Sequence, residues 1–221
     1  MTADFFWAPR PKPTRGPKPA LTLDEIADAA IAVADAEGLA AVSMQRVAAD
    51  LGYTKMSLYR YVPGKAELVA AMLERAMSTP PALPHGWRAA LTTWAESMLT
   101  RLAGHPWALE VMALGGRPVG PTEVAWLESA LAALPTGLTG AERMDVVATL
   151  AWHVRGTAAE AGTGETEFTA SVGRILREHA DRYPNVASAF ADVASRGGAD
   201  QAFHFGLNRF FDGVEAYLER V

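Results

Sequence analysis

The sequence predicts an all-α protein in two parts, a small N-terminal helix-turn-helix unit and a larger C-terminal helical bundle. Three observations carry that expectation. Two segments open with a capping box, Thr22-Leu-Asp-Glu25 and Thr139-Gly-Ala-Glu142, in which the hydroxyl caps free N–H groups and the glutamate reaches back. Apolar residues recur at three- and four-residue spacing between Gly and Pro breaks. No segment shows the strict alternation of a half-exposed strand, and there is no internal repeat. Half of the 221 residues are apolar, enough to build one large core or two unequal ones.

Residues 1–20 contain five prolines and no helical period, and are expected to form a flexible basic arm. From Thr22, Ile26, Ala30 and Val33 mark a helix that Gly38 stops. Ser43 is the next N-cap, with Met44, Val47, Ala48 and Leu51 facing inward and Gly52 closing the helix. Thr54 starts a short helix that Pro63-Gly64 breaks, and Lys65 to Met77 resumes. Thr79-Pro80-Pro81 and Pro84 mark a join, which divides the chain into 21–79 and 80–221. Beyond it the predicted helices run from Trp87 to Leu102, Pro106 to Leu114, Thr122 to Leu134, Thr139 to about Ala161, Glu165 to Arg182 and Pro184 to Arg196. Asp200 caps a last helix that reaches the C-terminus.

The formal net charge of −5 is unevenly spread. Residues 1–79 are balanced, and the acidic excess lies in 80–221. Arg10, Lys12, Arg15 and Lys18 form one positive island; Arg46, Lys55, Arg60 and Lys65 form another, and a phosphate backbone attracts such islands locally. The absence of cysteine excludes disulfides and thiolate zinc sites. No apolar run approaches the roughly 20 residues of a membrane span, and the first residues lack a secretory apolar stretch, so a cytoplasmic protein without a membrane partner is expected. There is no GxSxG, no GxGxxG after a strand, no P-loop and no HExxH, and the five histidines never pair at helical spacing. An enzyme, a cofactor and a metal site are therefore not expected.

Residues 44–58 carry the functional pattern. Ala48 is small enough for a second helix to cross closely, Gly52 supplies a left-handed turn, and Leu58 plugs the second helix into the core. Lys55, Met56, Tyr59 and Arg60 share one arc of about 160° that excludes Leu58, an arrangement suited to base edges and phosphates in a major groove. The stretch VSMQRVAADLGYTKMSLYRYVPGKAELVAAM resembles the DNA-binding domain of the TetR family of bacterial repressors, through Ala48, Leu51-Gly52, Ser57-Leu58-Tyr59, Tyr61 and Lys65-x-Glu67-Leu68. Tyr61 and Pro63-Gly64 depart from the family's commonest residues but keep the turn. The resemblance implies base contacts at Gln45, Lys55 and Met56, and phosphate contacts at Ser43, Ser57, Tyr59, Tyr61 and Lys65. Arg60 lies on the same exposed arc with its role open. Two rival readings are a helical enzyme and a protein-interaction module that does not bind DNA.

For residues 80–221 the resemblance implies a bundle that dimerises and holds a small apolar or aromatic effector, whose binding releases a palindromic double-stranded operator. Phe203, Leu207, Phe210, Val214, Tyr217 and Val221 make an apolar stripe assigned to the partner subunit, with Val146, Leu150, Val154 and Thr157 as the second contributor. Aromatic and Met side chains line adaptable pockets, so Trp94, Met98, Trp107, Met112, Trp126 and Trp152, with His105 and His153, are the effector candidates. Trp152-His153 beside Arg155 is the leading one.

Overall fold

The computed structural model describes residues 5–7, 21–162, 165–195 and 202–220. Among them lie eleven α-helices, two short 3₁₀ turns and no strand. The first four are α1 (Leu23–Glu37), α2 (Met44–Asp50), α3 (Lys55–Tyr59) and α4 (Lys65–Met77). Then come α5 (Trp87–Gly104), α6 (Trp107–Ala113), α7 (Pro121–Ala133) and α8 (Gly140–Gly162). The last three are α9 (Glu165–His179), α10 (Pro184–Ser195) and α11 (Ala202–Leu218).

Both capping boxes form. Thr22 Oγ1 accepts from the Glu25 N–H while a Glu25 oxygen accepts from the Thr22 N–H at 2.7 Å. Thr139 and Glu142 repeat the arrangement. One element has no counterpart in the sequence reading, the 3₁₀ turn Leu39–Ala41. It places Leu39 in the core immediately after α1, and three residues are too few to show a period.

Helix α1 packs along α4, with α2 and α3 beside them. Ile26, Ala30, Val47, Leu58, Leu68 and Met72 form a core that continues without a break into Leu91, Trp94, Leu150 and Leu207. The prolines at 80, 81 and 84 end α4, yet packing does not stop there, because α4 also touches α5, α6 and α7. In the second half, α5 packs on α7 and α8, and α11 packs on α8.

Two expectations need correction. The stripe on α11 is partly consumed inside the monomer: Phe203, Leu207 and Val214 are buried, together with Phe211, which lies beside the stripe, and Leu150 and Val154 of α8. Phe210 is half-buried and Tyr217 exposed, since the twist of an α-helix carries a stripe of alternating threes and fours past the edge of one neighbour. Val221 and Asp200 lie outside the described residues. The arm is also not wholly free. Residues 5–7 are docked, with the Trp7 indole donating to the Val119 carbonyl at 3.0 Å and Phe6 lining a groove with Ala27, Ala71 and Glu74. Its basic residues 10–18 lie outside the described segments. No described helix is long and apolar enough to cross a membrane.

Candidate nucleic-acid interface and internal cavity

The turn between α2 and α3 is built by the backbone. Gly52 takes φ +74°, where a Cβ is strained. The Tyr53 N–H then reaches the Ala48 carbonyl at 2.8 Å and the Gly52 N–H reaches Ala49 at 3.0 Å, the double closure of a Schellman motif. Thr54 caps α3, accepting from the Ser57 N–H. Leu58, 0% exposed, fixes which way this five-residue helix faces.

What remains outside is the predicted set. Lys55, Tyr59, Arg60, Gln45, Ser43 and Lys65 are exposed, and Met56 is 73% exposed. A thioether this open is unfavourable against water and available to an apolar base edge. Lys55 Nζ sits 5.5 Å from the Tyr59 ring centroid, which steadies the lysine on the outer arc. Among the described residues Lys55, Arg60 and Lys65 form no ion pair. Lys65 is the first residue of α4, where a cation opposes the helix dipole, so an anionic partner relieves it. Two predicted contacts are already partly engaged: Ser57 is half-buried with its hydroxyl 2.9 Å from that of Thr54, and Tyr61 is half-buried against the core. Ser43 caps α2 through the Arg46 N–H. Arg46 itself is neutralised by Glu37 and Asp50 at 2.8 and 2.9 Å, and these carboxylates raise its pKa above the ordinary guanidinium value.

A cavity of about 260 Å³ opens between α5, α7, α8 and the end of α4. Trp94, Met98, Met112 and Trp126, four of the eight effector candidates, line it. Met77, Arg117, Glu123, Leu127, Val147, Ala151 and Arg155 complete the wall. The two indoles stand edge to face at 5.5 Å, and each N–H is satisfied: Trp94 donates to the Trp126 carbonyl at 3.0 Å and Trp126 to the Ser78 carbonyl at 2.9 Å. Arg117 is 10% exposed and paired in bidentate fashion with Glu123 at 2.6 and 2.7 Å. Among the described residues Arg155 donates only to the Ala151 carbonyl one turn back, and burial lowers its pKa from the guanidinium value.

The other four effector candidates do not line this cavity. His105 and Trp107 both turn to Asp35 of α1, at 2.9 and 2.6 Å, because a buried indole N–H and an imidazole find a carboxylate there. His153 stacks on Phe203 and bonds its carbonyl at 2.9 Å. Trp152 is 67% exposed. Helical geometry contains that answer: at 100° per residue Trp152 lies about 200° from Leu150 and Val154 lies about 40° from it, so Trp152 faces away from the buried side. Arg155 and Ala151 flank the buried side, a signal that the adjacency of Trp152 and His153 obscured.

The cavity is bonded to α4. Glu74 accepts from the Thr122 and Glu123 N–H groups at 2.8 and 3.2 Å, so an α4 carboxylate caps α7. Arg101 holds Ser78 and the Thr79 carbonyl while lying over the Trp126 ring. The helix that follows the nucleic-acid face thus ends in the cavity wall.

Comparison with known proteins agrees with this geometry. Residues 20–72 match the family model described as bacterial regulatory proteins, tetR family, and residues 80–218 match the tetracyclin repressor-like C-terminal domain. The chain is 41% identical to the HTH-type transcriptional repressor DrrR1 of Streptomyces coeruleorubidus, over 98% of this chain and 86% of that protein. Apo ActR from Streptomyces coelicolor superposes with a TM-score of 0.78 at 24% identity, covering 92% of this chain and 99% of that one. ActR in complex with (S)-DNPA gives 0.75 at 25% identity, covering 90% and 100%.

Proposed function

The chain belongs to the TetR family of bacterial regulatory proteins, and from that premise we propose a dimeric cytoplasmic repressor that reads a palindromic operator through α2 to α4 and lets go when a small apolar or aromatic effector enters the cavity. One observation carries the DNA-reading half: Gln45, Lys55, Met56 and Tyr59 stand exposed on a short helix pair whose orientation Leu58 and the Gly52 turn dictate, and Lys65 stands exposed at the start of α4. Under this reading residues 21–79 bind DNA and 80–221 bind effector and partner. Ligand-bound ActR supports the effector half, since a protein of this fold takes up a small molecule. Support for a second copy comes from exposed apolar residues on the outer side of α8 and α11, including Trp152 and Phe205, from α10, which buries no residue in the monomer, and from α9, which buries none among its described side chains.

The mechanism is linkage. Two α3 helices reach successive half-sites only at a spacing near one DNA turn, about 34–36 Å. An effector that binds better to another spacing weakens DNA binding by the same factor by which DNA weakens effector binding. Glu74, Met77 and Ser78 supply the physical connection between cavity and α4.

The test is operator binding across a salt series, with DNA taken from beside the protein's own gene. Lys65→Ala lowers affinity for all sequences and reduces the salt slope by about one counterion. Met56→Ala changes base preference and keeps the slope. Arg46→Ala serves as control and keeps both, because that charge is already neutralised. An unchanged slope in Lys65→Ala overturns the phosphate assignment.

A further inference from the structure

We propose that the effector is an aromatic anion whose acidic group is received by Arg155. The inference rests on the cavity being the effector site and goes further by fixing the charge of what enters. The wall carries three ionic side chains, Arg117, Glu123 and Arg155. Arg117 and Glu123 cancel one another through a bidentate pair. Among the described residues Arg155 meets no carboxylate, and its guanidinium spends one Nε–H on a carbonyl of its own helix. The cavity therefore holds one net positive charge beside Trp94, Trp126 and the sulfurs of Met77, Met98 and Met112.

A half-buried cation with unused N–H donors is costly when alone and favourable when the acceptor oxygen of an anion pairs with it. Carboxylate, phenolate and sulfonate share that chemistry. An amine-bearing aromatic meets the opposite condition, because no carboxylate in the wall is free to receive it. The remaining surface is apolar, so ring stacking and thioether contact supply affinity while Arg155 supplies selection.

The test uses two fluorescent probes with the same ring skeleton, anilinonaphthalene sulfonate and N-phenylnaphthylamine, which differ by the anionic group. Both are titrated into the full chain, and displacement of one by the other reports a shared site. The parent protein binds the sulfonate at least about tenfold tighter than the neutral probe. Arg155→Gln removes that preference and leaves the neutral probe within about twofold, while Arg155→Lys restores part of it. Unchanged helical content and operator affinity in Arg155→Gln show that the fold is intact. Equal affinity for the two probes in the parent, or a preference that survives Arg155→Gln, overturns the anion assignment and leaves the cavity reading standing. If neither probe binds while the operator still does, the cavity reading falls as well.

Discussion

Glycine at position 120 exists to make room for Glu74, and a double-mutant cycle measures this. A Cβ at Gly120 would overlap the Glu74 carboxyl, meeting Cδ and Oε1 well inside contact distance. The Gly120 backbone, at φ −100° and ψ 174°, accepts any residue, so Gly120→Ala brings no torsional strain. Its cost is the displacement of Glu74 from the two N–H groups of α7. A lost cap costs about 0.5–2 kcal/mol and the lost charge at the helix start about 0.3–1 kcal/mol more. Glu74→Ala and Gly120→Ala should each cost about 2 kcal/mol, which lowers Tm by roughly 4–8 °C at this chain length. The double variant should cost no more than Glu74→Ala alone, because the clashing atoms have gone. Thermal unfolding followed by circular dichroism reads all four corners of the cycle. Additive losses, near 4 kcal/mol in the double variant, refute the argument.

Leu58→Ala empties a fully buried site and should destabilise by about 2–5 kcal/mol in chemical denaturation, and operator binding should fail because α3 loses its orientation. Trp152→Glu places a charge on the proposed partner-facing side of α8 and should shift the species in sedimentation to half its mass without loss of helicity; a variant that stays at full mass removes Trp152 from the interface. The Tyr217 hydroxyl and the Thr139 cap hold the Glu142 pKa below the ordinary carboxylate value. A depressed folded-state pKa contributes stability at neutral pH that is lost as pH falls through it. Tyr217→Phe should therefore lower Tm at pH 7 and have less effect below the carboxylate range; an equal shift at both pH values argues against this linkage.

The helix ends and the turn between α2 and α3 were legible because their signals are local. Thr22, Thr139 and Ser43 announce caps within three residues, and Gly52 with Leu58 announces a turn and a plug at fixed offsets. The cavity was half legible. Composition picked out Trp94, Met98, Met112 and Trp126, but it does not separate an indole that lines a space from one that bonds a neighbour, as Trp107 bonds Asp35. Period could have placed Trp152 outside. Nothing local pairs Arg117 with Glu123, or Glu74 with the start of α7, since those contacts depend on how helices distant in sequence meet.

Helix α4 completes the unit that carries the proposed reading face and also walls the cavity, so the two cannot be exchanged as separate parts. A chimera that grafts residues 21–79 onto another helical body inherits Glu74, Met77 and Ser78 with no α7 start, no indole and no guanidinium to meet them. Such a hybrid is expected to occupy its operator and ignore every inducer, unless the acceptor's own counterparts of Thr122, Trp126 and Arg101 are carried across with the graft.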